Sequence, residues 1–182
     1  MESAKHVLDV FYRDTANPIT QHHIESFDDL LTRRIPTFIK ASNPIQLLIP
    51  EDGRAIRVYV GGRDGTAISY SLPTDELDNA ILPNTCRLEN KTYSIDIRAT
   101  LEIEYSFPNR DPIVRTFERV IIARMPLMLK SKFCYLSALS PEEIFKAGEC
   151  KFELGGYFIV DGAERALLSQ ERLGNNLFYT NI

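Results

Sequence analysis

The longest regular pattern in the chain lies at residues 93–107. Tyr93, Ile95, Ile97, Ala99, Leu101, Ile103, Tyr105 and Phe107 alternate with Ser94, Asp96, Arg98, Thr100, Glu102, Glu104 and Ser106. A period of two over this length predicts a long strand with one face buried and the other wet. Residues 113–125 are its expected partner, joined through Pro108-Asn109-Arg110-Asp111-Pro112. Shorter β-type runs precede it at 46–49, 55–60 and 67–72, separated by Glu51-Asp52-Gly53 and by Gly61-Gly62-Arg63-Asp64-Gly65, both rich in turn formers. The first part of the chain has a different period. Ile24, Phe27, Leu30, Leu31, Phe38 and Ile39 fall near one face of a helix, with Ser26 and Asp29 as a candidate cap and Pro36 expected to end or kink it. Asn17-Pro18 and Asn43-Pro44 are turn signals on either side.

The last third adds two local signatures. Ser140-Pro141-Glu142-Glu143 reads as a capping box with proline in the first turn, and Gly148 as the stop of a short helix. Tyr157-Phe158-Ile159-Val160 then meets Asp161-Gly162, a two-residue hairpin signal, with Ala166, Leu167, Leu168 and Ser169 expected as the return strand. Helices first, then strands, one short helix and a hairpin predict an α+β fold: N-terminal helices packed on a mostly antiparallel sheet, with a C-terminal β-hairpin.

Composition narrows the function. The chain has 182 residues, with 44% hydrophobic and 25% charged, which is ordinary for a globular domain. Its net charge of −4 lacks the basic surplus of a free-standing nucleic-acid binder, so any phosphate contact must come from a local patch. Cys86, Cys134 and Cys150 are widely spaced, without a C-x-x-C pair, which argues against zinc and for reduced thiols in an intracellular protein. The N-terminus has no apolar signal core and no stretch approaches a membrane span, so a soluble intracellular protein is expected.

Catalytic chemistry finds little support. Ser137 and Ser169 lack a nucleophile elbow, and Gly61-Gly62-Arg63-Asp64-Gly65 lacks the lysine and hydroxyl of a phosphate-binding loop. His22 and His23 are adjacent, so on a helix they point about 100° apart and do not readily share a metal; with His6 they read as helix-surface imidazoles. The 93–107 stripe alternates with charge as a half-buried strand should, so it reads as core rather than as a base-stacking platform.

The C-terminal third carries a resemblance. Glu149-Cys150, followed by Gly155-Gly156-Tyr157-Phe158-Ile159-Val160-Asp161-Gly162-Ala163-Glu164-Arg165-Ala166-Leu167-Leu168-Ser169-Gln170-Glu171-Arg172, resembles a hallmark of the second-largest, beta-like subunit of multisubunit DNA-dependent RNA polymerases. Arg124-Met125-Pro126-Leu127-Met128-Leu129-Lys130-Ser131-Lys132 is similar to a second block of that family, and 82–93 and Ile24-Glu25-Ser26-Phe27-Asp28 are weaker echoes in the same order. Glu149-Cys150 before the glycines gives it a eukaryotic, archaeal or large-DNA-virus character rather than a bacterial one. The resemblance implies that residues 1–182 are the N-terminal part of the protrusion domain, a single and incomplete domain forming one wall of the nucleic-acid cleft. It implies no catalytic residue and no cofactor in this segment, with Mg2+ held mainly by the largest subunit and structural Zn2+ elsewhere in the polymerase. The implied partners are the remainder of the second-largest subunit, the largest subunit, smaller subunits, DNA template and nascent RNA, with no membrane. The implied location is the nucleus for a cellular eukaryote, or the cytoplasm or virion for an archaeal or viral source.

Within this frame Gln170, Arg172 and Arg165 are candidate nucleic-acid-proximal residues. The strand that bears them approaches the RNA–DNA hybrid in the family, and the position matching Gln170 lies near nascent RNA in bacterial relatives. Polar ends of an apolar strand suit phosphate or sugar contacts. The competing reading has Glu164 and Arg165 paired across the hairpin and Gln170 merely ending it. Lys130, Lys132 and Arg124 form the densest basic group; they face a polyanion, the carboxylates of a partner subunit, or water. A stand-alone protein-interaction module derived from a split polymerase gene is the alternative to a polymerase segment.

Overall fold

The computed structural model describes residues 2–15, 17–49, 54–75, 77–108, 110–172 and 174–176. Its organising element is the predicted long strand, β4 in chain order, which runs Ser94–Phe107. Its partner β5 is longer than expected, Arg110–Pro126, and the two pair antiparallel from Phe107↔Arg110 to Ser94↔Pro126. On its other edge β4 pairs antiparallel with β2 (Arg54–Val60) and then with β3 (Ile68–Tyr70), while β1 (Ile45–Ile49) pairs with β2. β3 is shorter than the predicted 67–72 run, although its flanking residues still bond β4, Thr100 donating to the Ala67 carbonyl and Ser71 to the Asp96 carbonyl. Ala67 donates to the carbonyl of Gly61 in the turn, and the Ser71 hydroxyl accepts from the Asp96 amide. The turn expected at Glu51-Asp52-Gly53 lies outside the described residues.

Alternation along β4 buries Ile95, Ile97 and Ala99, as the pattern predicts. Beyond Ala99 the pattern persists but the burial does not: Leu101, Ile103 and Tyr105 are only half-buried, and the buried residue there is Glu104 on the opposite face, held by Arg57 and Arg63. The sequence period marks an apolar face; it does not say how far the covering layer extends. The core collects under the near half of the sheet, where Tyr93, Ile95, Leu127, Leu129, Leu136 and Ile159 meet Phe27 and Leu31 from the helices.

Helix α1 spans Glu2–Asp14, with Val7, Leu8, Phe11 and Tyr12 exposed. Helix α2 spans Gln21–Asp29, so it begins upstream of the expected Ser26 cap. Asn17 sets this earlier start: its amide donates to the Thr20 hydroxyl at 2.6 Å, and the Gln21 N–H bonds the Asn17 carbonyl. Nor does Pro36 end the helix. Leu30–Arg34 form a π-turn, in which the Ile35 N–H reaches back five residues to the Leu30 carbonyl, and α3 continues as Ile35–Ser42. The wider turn shifts the carbonyl ladder just ahead of the proline, which has no N–H to give and whose ring crowds the preceding turn of an α-helix.

Two short elements had no sequence signal strong enough to place them: helix α4, Pro83–Leu88, and a 3-10 turn at Tyr135–Ala138. Helix α5, Pro141–Lys146, carries the predicted capping box, with the Ser140 hydroxyl accepting from the Glu143 N–H and the Glu143 carboxylate accepting from the Ser140 N–H. The C-terminal hairpin forms at Asp161-Gly162, with φ of 50° and 74° at the two turn residues. Its strands are β6, Phe158–Val160, and β7, Ala163–Arg165, paired Val160↔Ala163 and Phe158↔Arg165. The return strand is therefore 163–165 and not the expected 166–169, which has no regular structure and is exposed. A two-residue loop fixes this register, since the residue after the turn must pair with the residue before it.

Candidate nucleic-acid interface

The hairpin is held from below by one side chain. Arg87, on the last turn of α4, donates to Glu149 at 2.6 Å, to Glu164 at 2.8 Å and to the Tyr157 hydroxyl at 2.8 Å. The Tyr157 hydroxyl in turn donates a hydrogen bond to Glu153 at 3.1 Å, and Glu153 accepts the Gly155 N–H at 2.8 Å. The guanidinium thus ties α4, the segment after α5 and β7 around a planar fork, a geometry that a lysine does not reproduce. Burial works against the Arg87 charge, but the Glu149 hydrogen bond and charge outweigh it and hold the guanidinium protonated. Burial, then the neighbouring Glu153, pushes the Tyr157 hydroxyl well above the ordinary phenol range, so it stays a donor. Glu164 therefore pairs with Arg87 and not with Arg165, which corrects the competing reading of the hairpin.

The hairpin also docks on the 127–132 segment. Leu129 donates to the Tyr157 carbonyl at 2.9 Å and accepts from Gly156 at 3.1 Å. Gly155 has φ of 69°, and a Cβ there would lie 2.5 Å from the Leu129 carbonyl oxygen, so glycine is required at 155 by close backbone approach. Lys130 sits in the turn that follows, with φ of 62°, and the Lys132 N–H donates to Asp28 of α2 at 2.9 Å. Burial is the main reason that the Asp28 carboxyl is raised above its ordinary range, against the pull of that hydrogen bond.

The structure thus brings the segment bearing Lys130 and Lys132 together with the base of the hairpin. Arg165 ends β7 with an exposed side chain, and Gln170 and Arg172 follow it, exposed and outside regular structure. Arg124 is placed differently. It lies on β5, bonded to Asp96 at 2.9 Å, which raises its pKa. There it lines an open cleft of about 590 Å³ with Ser71, Asp75, Asp96, Arg98 and Asp161, a surface of mixed charge rather than a basic patch. His22 and His23 lie on α2 with ring centroids 4.0 Å apart, and among the described residues no group of three or more His, Cys, Asp or Glu gathers as a metal site. No helix among them is long and apolar enough to cross a membrane. Chemically, the corner offers fixed backbone geometry and several outward cations, which suits holding an anion in place.

Sequence reasoning missed Arg87, the centre of the arrangement. Its partners lie 62, 70 and 77 residues away, so no local spacing joins them. The available signal was that Arg87, Glu149, Tyr157 and Glu164 all lie in the blocks that carried the resemblance.

A family model described as "RNA polymerase beta subunit" matches residues 18–181. DNA-directed RNA polymerase subunit Rpo2N of Methanothermobacter thermautotrophicus (strain Delta H) is 34% identical over 179 residues, covering 96% of this chain and 32% of that subunit. DNA-directed RNA polymerase III subunit RPC2 of Saccharomyces cerevisiae is 33% identical over 172 residues, covering 94% of this chain and 14% of that subunit. DNA-directed RNA polymerase II subunit RPB2 of Eremothecium gossypii is 32% identical over 117 residues, covering 57% and 10%. The chain spans about a third of the length of the archaeal relative and less of the two fungal ones.

Proposed function

Because this chain belongs to the RNA polymerase beta subunit family, as the N-terminal region of the second-largest subunit, we propose that it is a structural segment of a DNA-directed RNA polymerase, forming one wall of the nucleic-acid cleft. In this reading residues 1–182 are part of a protrusion domain that the rest of the subunit completes. The segment works beside the largest and smaller subunits and supplies no reacting group. Magnesium, and structural zinc, are held elsewhere in the polymerase.

The observation that carries the proposal is the double anchoring of the C-terminal hairpin, by the Arg87 fork and by the Leu129 backbone. It gives the following chain, with Arg165, Gln170 and Arg172, a fixed point of departure. Cations beside a phosphate backbone position it without reading its sequence. Lys130 and Lys132, on the segment to which the hairpin is bonded, add to the same field.

The test is site-specific photocrosslinking from position 170 or 172 in a polymerase assembled with this chain, stalled on a labelled template with labelled nascent RNA. Crosslinks to either nucleic acid are expected; their absence, in a complex that still extends RNA, overturns the cleft-wall reading. The chain alone is expected to incorporate no nucleotide on a primed template, and template-directed incorporation by the purified chain would refute its non-catalytic role.

A further inference from the structure

Two glycines in succession form the joint at which the chain enters the hairpin. Gly155 and Gly156 have φ of 69° and 84°, and a Gly-Gly step by itself leaves the chain free to swing. Each glycine is faced by a different neighbour. Gly155 lies against the Leu129 carbonyl, whereas a Cβ on Gly156 would lie 2.7 Å from the Cβ of Thr20 and 3.1 Å from its methyl. Thr20 therefore fills the space beside the second glycine. Its hydroxyl also donates at 2.9 Å to the carbonyl of Leu154, the residue before the joint, and the Asn17 amide donates to the same oxygen at 2.8 Å. Asn17 reaches the Thr20 hydroxyl at 2.6 Å as well, so the three groups close a triangle.

Thr20 stands at the N-cap of α2, where a threonine hydroxyl ordinarily accepts from an N–H in the first turn of its own helix. It makes no such bond here. The hydroxyl is committed to the hairpin joint instead, and a local rule set aside for a distant contact is where a functional constraint is to be sought. The last turn of the same helix meets the hairpin again, with Phe27 edge-on to Phe158 of β6 at 5.4 Å between ring centroids. Helix α2 thus runs along the base of the hairpin as a splint. It acts apart from the Arg87 fork, none of whose three partners lies on it.

We infer that Thr20 is a positioning residue: it locks the Gly155-Gly156 joint and so fixes the direction in which the hairpin presents Arg165, Gln170 and Arg172. The lock is drawn from the contacts of Thr20 alone; its consequence for nucleic acid rests on the cleft-wall reading. Thr20→Val fills nearly the same volume but loses the bond to Leu154, and Thr20→Ser keeps the bond.

The test has two arms. Amide exchange is measured on the full chain, where local opening shows as local loss of protection. Thr20→Val is expected to speed exchange across residues 158–165 and to leave β4 and β5 as in the parent, which also certifies the fold; Thr20→Ser is expected to match the parent. Unchanged exchange in the hairpin, or equal acceleration in β4 and β5, overturns the inference, the latter because it marks a residue that serves overall stability only. Photocrosslinking from position 172 is then compared in polymerase assembled with each variant. Thr20→Val is expected to lose the crosslinks of the parent or move them to neighbouring nucleotides, and Thr20→Ser to restore them. Crosslinks of the same pattern and yield in Thr20→Val overturn the inference. A parent that does not crosslink overturns the cleft-wall reading, and the exchange pattern then decides the lock by itself.

Discussion

Arg87 shows most plainly what single residues do in this molecule. Its side chain is 20% exposed and that of Glu149 only 4%, so the pair is nearly sealed from water. Removing the arginine strands a buried carboxylate, and breaking pairs of this kind costs about 3–5 kcal/mol. Arg87→Ala is therefore expected to lower the unfolding free energy by that amount, read as a lower urea midpoint, while Arg87→Lys keeps the charge, loses the fork and falls between. A midpoint unchanged by Arg87→Ala shows that the hairpin is held by other means. Gly155→Ala is expected to cost more than the roughly 1 kcal/mol of an ordinary strained glycine replacement, because the new methyl meets the Leu129 carbonyl as well as an unfavourable φ. Thermal denaturation of that variant, with hairpin amides exchanging faster, is the check. At this scale the legible features were the local ones. The Ser140–Glu143 capping box is complete within four residues and formed as expected. The Arg87 fork joins residues that only the tertiary fold brings together, and no window of sequence contains it.

Among the elements, the hairpin and the N-terminal helix teach opposite lessons. The dipeptide Asp161-Gly162 marked the turn, but the apolar run Ala166-Leu167-Leu168 drew the return strand three residues too far; turn geometry outranks hydrophobicity in setting register. In the helix, Pro36 signalled an end or a kink, and the helix does not end there: it runs on into α3 through the π-turn at Leu30–Arg34. Asp29, at the junction, accepts hydrogen bonds from Arg33 at 2.5 Å and Arg34 at 2.7 Å, first the one and then the other lowering its pKa from 3.8 to about 2. A depressed folded pKa means that its stabilisation is present above the unfolded value and is lost as pH falls through the folded one. The α2–α3 junction is thus expected to lose helicity between about pH 4 and pH 2. The effect should shrink in high salt, since the arginines are exposed. Circular dichroism against pH tests this, and an Asp29→Asn variant with the same acid limb as the parent would refute it.

For the molecule as a whole, the pattern at 93–107 identified the strand and its apolar face. β4 is paired on both sides, and the uncovered apolar surface collects on the far half of the sheet. There Ile45, Leu47, Ile113 and Phe117, which pair into one face with the half-buried Leu101, Ile103 and Tyr105, are between 49% and 61% exposed. An apolar face of this extent drives association. The isolated chain is expected to self-associate with rising concentration and to bind hydrophobic dyes while still folded. Sedimentation of a single monomeric species with reversible, cooperative unfolding at micromolar concentration would show it to be self-sufficient. The fold class was legible because strand and helix periods are properties of short windows. The reach of the core was not, because it depends on where the helical layer ends. That division gives β4 a mechanical character. Its 14 residues span about 45 Å, and only the Ser94–Ala99 end is gripped by the core, so the rest is a beam clamped at one end. A load applied near Phe107 arrives at the clamp as a bending moment. Tyr93, the residue at the clamp, donates its backbone N–H to the Ile159 carbonyl of the hairpin at 3.0 Å. Whatever seizes the tip of that beam therefore pulls, through its root, on the hairpin at the opposite end of the molecule.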